Sequence, residues 1–312
     1  MSNVDKKSVE NEIEDKIYLN KTPYFTIAIF SFVFISLAFI LNFPLEEKVQ
    51  GAITKALKSN KSCQVSYSKM DFSLFLFPSF NLKDVTLPGR CFGQSRSAGL
   101  NFSTVDIDIV RPTVLPPGVL IETKIKDKVT DLSIFASMGI TSASFRVEKS
   151  QVEGDLIAKA GNLPLKLKGS LSVDALIDTD YKIPTAGSFH ITSKDLTLPP
   201  QMIKIFQLKN LSLAPLVLKG NLKEGIVRLL RFQVGNAQSK IEAIFTNGVI
   251  TLNPKNPRLH KADLEGKLRL GEAFLKEYPI INAFLGNAKK DEKGFYTIEL
   301  KGLLSQLRPK LL

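Results

Sequence analysis

The run Leu163-Pro164-Leu165-Lys166-Leu167-Lys168-Gly169-Ser170-Leu171-Ser172-Val173-Asp174-Ala175 decides the class of fold. Leu163, Leu165, Leu167, Gly169, Leu171, Val173 and Ala175 share one parity, and Lys166, Lys168, Ser170, Ser172 and Asp174 take the other. Successive side chains of a strand point to opposite faces, so the pattern predicts a strand with one apolar and one wet face, as antiparallel sheets have. The alternation returns at 216–222, 264–270 and 296–304. Each run carries a pentad with glycine on the apolar parity: Leu167-Lys168-Gly169-Ser170-Leu171, Leu218-Lys219-Gly220-Asn221-Leu222, Leu264-Glu265-Gly266-Lys267-Leu268 and Leu300-Lys301-Gly302-Leu303-Leu304. Glycine there weakens a strand but admits a bend or the close approach of another element. Gly169, Gly220, Gly266 and Gly302 therefore predict one strand type reused in a curved sheet.

A second echo runs Leu82-Lys83-Asp84-Val85-Thr86-Leu87-Pro88, Lys194-Asp195-Leu196-Thr197-Leu198-Pro199 and Leu208-Lys209-Asn210-Leu211-Ser212-Leu213-Ala214-Pro215. The pentads are unequally spaced, which makes this a loose repeat rather than a solenoid of fixed period. Upstream, Val65, Tyr67, Phe72, Leu74 and Leu76 read as a strand and Pro78-Ser79 as its turn. Phe80, Leu82, Val85 and Leu87 form the return strand, ending at Pro88-Gly89. Val105, Ile107 and Ile109 alternate with Asp106 and Asp108. With no third ligand near them, those two carboxylates read as a solvated strand face rather than a metal or acid/base pair. Glu224-Gly225 and Asn247-Gly248 predict hairpin turns. Short helices are predicted at 201–206, after Pro199-Pro200, and at 272–285, where Pro279 kinks or splits the helix. The body is mainly β.

The N-terminal part is different. Residues 24–43, YFTIAIFSFVFISLAFILNF, contain no Asp, Glu, Lys, Arg or His. A helix of that length covers the roughly 30 Å of hydrocarbon in a bilayer, and it lacks the polar stripe of a surface helix. It reads as a transmembrane anchor. The stretch exceeds a signal-peptide core, its upstream charges are mixed, and no small-residue cleavage site follows, so an uncleaved anchor is expected. Lys16 and Lys21 on one side and Lys48, Lys55 and Lys58 on the other leave the orientation undecided by charge. Residues 1–23 form a charged tail. Beyond the anchor, Leu45, Val49, Ala52, Ile53, Ala56 and Leu57 make one apolar stripe of an amphipathic helix over 44–61. Pro44, Glu46 and Glu47 suit its first turn, and Lys55, Lys58 and Lys61 its last. This helix either caps the body that follows or lies at the membrane surface, and the cap is the expected role. The expected organisation is tail 1–23, anchor 24–43, amphipathic helix 44–61 and β-rich domain 62–312.

The chain of 312 residues has a formal charge of +12, and from residue 150 onward 24 Lys/Arg face 15 Asp/Glu. Such a surface attracts anionic headgroups or nucleic acid, though a basic balance is most often a solvated face. No basic run of five, no tryptophan and no aromatic-basic RNA signature occurs, and nucleic acid is not expected as a partner. The two cysteines, Cys63 and Cys91, flank a predicted hairpin. In an oxidising compartment they form a disulfide, and otherwise two free thiols; two ligands are too few for zinc. Phosphate-loop, dinucleotide, nucleophile-elbow and zincin motifs are missing from the sequence. His190, on the polar parity of a strand, and His260 both read as surface residues. No residue is therefore nominated for catalysis, for a cofactor or for a metal, and the protein is expected not to be an enzyme.

The order of an apolar span, an amphipathic helix, a strand pair ending Phe80-Asn81-Leu82-Lys83-Asp84-Val85-Thr86-Leu87 and then glycine-bearing strands resembles the AsmA-like superfamily of envelope proteins. The closing stretch is similar to the N component of bacterial type II secretion systems, the GspN-like family. It comprises the proline-split helix to Leu285, the polar loop Lys289-Lys290-Asp291-Glu292-Lys293-Gly294 and a last strand from Phe295 to Leu304, ending near Pro309. The likeness covers most of residues 24–310 and rests on apolar and glycine positions. It implies a single-pass protein of a Gram-negative inner membrane with a periplasmic β-rich domain, acting as a non-catalytic accessory of a secretion machine. Other secretion-system subunits are the implied partners. The alternative it implies is an AsmA-like protein that binds or transfers phospholipid between the two membranes. The acidic tail and the pair Cys63 and Cys91 lie outside the likeness.

Overall fold

The structure, a computed structural model, describes residues 31–32, 48, 50–51, 54–55, 57, 59, 63–75, 77–92, 99–114, 117–161, 163, 165–203, 206–253, 259–285, 288–307 and 309–312. The chain divides into two compact units, Met1–Ile53 and Thr54–Leu312. Of the predicted anchor only Ser31 and Phe32 are described, and both are helical; the rest of 24–43 and the whole tail lie outside the described residues. Among the described residues no helix is long and apolar enough to cross a membrane. The predicted amphipathic helix is helical at its described positions, Lys48, Gln50, Gly51, Thr54, Lys55, Leu57 and Ser59. Its second half belongs to the larger unit, where the Thr54 hydroxyl lies 2.6 Å from the Tyr67 hydroxyl.

The larger unit is built on one antiparallel sheet of fourteen strands. Its first eight strands follow chain order: β1 (Lys69–Phe75), β2 (Phe77–Leu87), β3 (Leu100–Val114), β4 (Pro117–Asp127), β5 (Thr130–Gly139), β6 (Ala143–Glu153), β7 (Ser170–Thr179) and β8 (Pro184–Ser193). An excursion of four short strands follows. In it β9 (Thr197–Leu198) pairs with β12 (Leu211–Ser212), and β10 (Gln201–Ile203) pairs with β11 (Phe206–Leu208). The main sheet resumes beside β8 with β13 (Leu216–Lys223), then β14 (Ile226–Val234), β15 (Ile241–Thr251), β16 (Lys261–Leu270), β17 (Tyr296–Leu303) and β18 (Pro309–Leu311). The mainly β, antiparallel reading holds, with few and short helices.

Local expectations fail where tertiary contacts compete. The first turn falls between the paired Phe75 and Phe77, so Pro78 lies inside β2 opposite Leu74 rather than in the turn. The 201–206 helix is instead the β10–β11 hairpin: the β-branched Ile203 is paired with the aromatic Phe206, and the propensity of a six-residue segment is a weak force. Asn247-Gly248 does not turn the chain. It sits in β15 at a register shift between Phe245 and Asn247, a bulge where two residues oppose one. Glu224-Gly225 does turn the chain, between the paired Lys223 and Ile226. Pro279, which has no N–H to continue a helix, divides α2 (Glu272–Glu277) from α3 (Pro279–Leu285) as expected.

The deciding stretch itself is only half strand in the main sheet. β7 begins at Ser170, and the alternating residues before it join the excursion. The Lys166 amide donates to the Gln201 side-chain oxygen at 2.8 Å, and Lys168 and Thr197 exchange amide-to-carbonyl bonds at 2.8 and 2.9 Å. Asp195 secures this junction, accepting from the Ser170 amide at 3.0 Å and from the Ser193 hydroxyl at 3.2 Å. These bonds, led by the Ser170 amide, hold the Asp195 carboxyl below its ordinary pKa. A carboxylate depressed in the folded state stabilises above the unfolded pKa of about 3.9 and loses that contribution as pH falls through the folded value. Asp195→Asn is therefore less stable than wild type at neutral pH, and the gap closes in acid, once pH falls below the unfolded value of about 3.9 and on through the folded one. Urea titrations at neutral pH and in acid check it; a gap that widens in acid contradicts the assignment.

A short helix, α1 (Gly154–Ala160), connects β6 to this junction. Its Leu156 and Ala160 pack on a core of Leu82, Val85, Leu100, Phe102 and Val105. At the other end of the sheet a second core holds Val227, Leu229, Phe245, Ala262, Leu264 and Ile298.

Candidate functional site: two faces of one sheet

Directly paired residues project to the same face, so the register traces each face across the strands. One row runs Ile107, Thr123, Ile134, Val147, Ala175, Phe189, Gly220, Leu229, Gly248, Leu264 and Leu300. A neighbouring row on the opposite face runs Glu122, Phe135, Arg146, Leu176, Ser188, Asn221, Arg228, Val249, Asp263 and Lys301. One face is apolar from β3 to β17 and the other is polar and charged. No single strand carries that continuity; it arises because the registers keep the parities aligned.

The four recurrent glycines separate into two kinds. Gly220 and Gly266 are buried on the apolar face, each paired with a phenylalanine whose ring folds over it. A Cβ on Gly266 would collide with the Phe245 ring and lie 2.7 Å from the Ile244 carbonyl oxygen. One on Gly220 would strike the Phe189 ring and lie 2.8 Å from the Arg228 carbonyl oxygen. Here the expectation of close approach is right. Gly169 (φ +110°) and Gly302 (φ +129°) serve differently, at the entry to β7 and near the end of β17. The four pentads are therefore not one strand type reused.

Burial along the apolar face is uneven. Over β14–β17 it forms the second core, where Phe232 and Phe245 stack at 5.7 Å. Over β4–β7 it opens: Val119, Met138, Phe145 and Ile177 are 36–39% exposed. Val119 pairs with Met138, and Phe145 with Ile177, so these side chains lie on the same face of four consecutive strands.

On the wet face several charges are paired with near neighbours. Lys69 pairs with Asp71 at 2.7 Å, Lys124 with Glu122 at 3.1 Å, Lys267 with Asp291 at 2.7 Å and Lys301 with Asp263 at 2.9 Å. Hydrogen bonds from Lys69 and Lys267 hold Asp71 and Asp291 below the usual carboxylate range, and those to Glu122 and Asp263 raise Lys124 and Lys301. Exposed pairs of this kind add little stability. A less exposed pair joins Arg269 to the buried Glu242, and the guanidinium also lies 5.0 Å from the Phe295 ring centre. Glu277, the last residue of α2, accepts from Lys240 at 2.7 Å and Lys209 at 3.4 Å, and Lys240 above all holds its pKa down.

Cys63 and Cys91 are joined as a disulfide, with Cα atoms 4.5 Å apart. The carboxylates of Asp106 and Asp108 are half-buried, and the Asn81 side-chain amide donates to Asp106. Among the described residues no group of three or more His, Cys, Asp or Glu is placed to hold a metal. His190 is exposed on the wet face between Asp174 and Lys219. His260 is half-buried rather than at the surface, because its Nδ1 accepts the Asn253 amide at 2.9 Å. No family model, curated protein or solved structure matches this chain.

Proposed function

We propose that the chain is a non-catalytic, membrane-anchored accessory component of a bacterial type II secretion system whose β body, in the periplasm, works by contact. The observation that supports a contact role is the fourteen-strand antiparallel order running from β1 to β18, with a polar face and two terminal strands. Terminal strands offer unpaired amides and carbonyls to an added strand, and a polar face offers side-chain pairing. Register shifts that place extra residues in β3, β6, β8, β14 and β15 bend those strands, which favours a curved sheet. The Cys63–Cys91 bond favours an oxidising compartment such as the periplasm. Deleting the gene is expected to reduce secretion of the system's cargo while outer-membrane permeability stays unchanged. A reporter active only in the periplasm, fused after Leu312, is expected to be active. Intact secretion after deletion, or a reporter active only in the cytoplasm, removes the proposal.

A second reading, carriage of phospholipid between the membranes, is favoured by the half-open apolar run of Val119, Met138, Phe145 and Ile177. Lipid analysis of the full chain purified in mild detergent separates the two. The first reading expects no stoichiometric phospholipid. The second expects it, and expects Met138→Asp with Phe145→Asp to remove it, since a charge on an acyl-lined surface costs several kcal/mol unless hydrated.

A further inference from the structure

The wet face is not uniformly neutralised. Every main-sheet strand of seven or more residues carries at least one Asp or Glu, except the three adjacent strands β8, β13 and β14. Those three hold Lys219, Lys223, Arg228 and Arg231 and no carboxylate. Lys219 and Arg231 are direct cross-strand partners, an arrangement of like charges that destabilises a sheet unless an anion neutralises it. Arg231 is engaged only by the neutral Gln233 side chain, at 3.2 Å from its Nε. Among the described residues, Lys219, Arg228 and Arg231 have no acidic partner within ion-pair distance, unlike Lys69, Lys124, Lys267 and Lys301 on the same face. The nearest wet-face acid in the Arg228 row, Asp263, is taken by Lys301.

Apolar side chains stand exposed among these cations. Ile226, Leu230 and Val249 are 38–45% exposed: Ile226 pairs with Lys223, Val249 pairs with Arg228, and Leu230 is the extra residue of the bulge beside Arg231. Cations interleaved with apolar groups on one sheet face match a surface that is anionic at headgroup level and apolar just beneath. An acidic protein would satisfy the cations but would leave Leu230 and Val249 without a reason to be exposed beside them.

We propose that the wet face of β8, β13 and β14, with Val249 of the adjacent β15, is a peripheral binding surface for an anionic phospholipid bilayer, with Lys219, Arg228 and Arg231 on the headgroups and Leu230 and Val249 at the acyl boundary. This site lies on the face opposite the apolar one; it shares with the readings above only the membrane anchor, which its test uses. The test uses the full chain held in a nanodisc of zwitterionic lipid. It is titrated with sucrose-loaded vesicles of phosphatidylcholine alone or with one quarter phosphatidylglycerol, and the bound fraction is read by sedimentation. Wild type is expected to bind the anionic vesicles only, and to release as salt is raised. Each lost cation weakens partitioning about fivefold, so Lys219→Gln with Arg228→Gln and Arg231→Gln weakens it roughly a hundredfold. A matched variant of exposed lysines elsewhere, Lys83→Gln with Lys126→Gln and Lys293→Gln, removes the same charge and is expected to bind nearly as wild type. Leu230→Ser, which leaves every charge in place, is expected to weaken binding severalfold through lost apolar contact. Equal binding to both vesicle types, equal loss in the two triple variants, or competition by inorganic phosphate at millimolar concentration overturns the proposal.

Discussion

Phe245→Ala is expected to lower the stability of the β body by about 3–5 kcal/mol, the usual cost of removing a buried phenylalanine ring from a core that does not collapse onto the gap. Phe245 is 4% exposed and belongs to the core shared by β14–β17, and its ring does two jobs there. It stacks on Phe232, and it covers Gly266, which has no side chain with which to fill the space. Removing it leaves two strands facing a void. Phe145→Ala is the matched comparison: the same deletion on the same face, at a position already 36% exposed, with an expected cost nearer about 1 kcal/mol. Thermal and urea unfolding followed by the β signal in circular dichroism measure both. A further consequence separates this account from simple loss of area. Gly266→Ala is expected to cost about 1–3 kcal/mol through overpacking in wild type, and much less once Phe245 is alanine. Equal losses for the two phenylalanines, or strict additivity between Gly266 and Phe245, would contradict the assignment of the core to β14–β17.

The second large effect is loss of the Cys63–Cys91 disulfide. The two residues are 28 apart, and closing a loop of that length removes roughly 3.5 kcal/mol worth of unfolded-state entropy. The loop contains β1 and β2, the terminal strands at one end of the sheet. Cys63→Ser with Cys91→Ser is therefore expected to lose about that amount, with amide exchange accelerating first across β1 and β2. A reductant should lower wild type to the level of the variant and leave the variant unchanged. Should the reductant have no effect on wild type, the bond is not contributing in solution.

How much of this was legible in advance depends on the range of the interaction concerned. Alternation at 216–222, 264–270 and 296–304 made those strands readable, because a period of two is a property of a few consecutive residues. Glu224-Gly225 and Pro279 were equally plain, since a positive-φ turn and a missing amide are local facts. Asn247-Gly248 misled for the same reason. It is a good hairpin signal that lost to pairing on both sides, and the strand took up the extra residue as a bulge. Residues 165–169 had the alternation of β7, yet their amides and carbonyls went to Gln201 and Thr197, partners some thirty residues away. The 201–206 segment likewise became a hairpin on the far end of that excursion.

The candidate surfaces follow the same division. That one parity is apolar and the other polar can be seen strand by strand, and so can the pair of cysteines and the positive balance. Chain order alone does not say that β13 lies against β8, because the β9–β12 excursion stands between them in the sequence. That one pairing brings two cation-bearing, acid-free strands beside a third that has no acid either, and it seats Phe189 over Gly220. Backbone periodicity and turn chemistry therefore establish an antiparallel β protein with two unlike faces. Which charges are left unpaired, and where the apolar face stays open, emerges only when strands distant in the chain choose their neighbours and register.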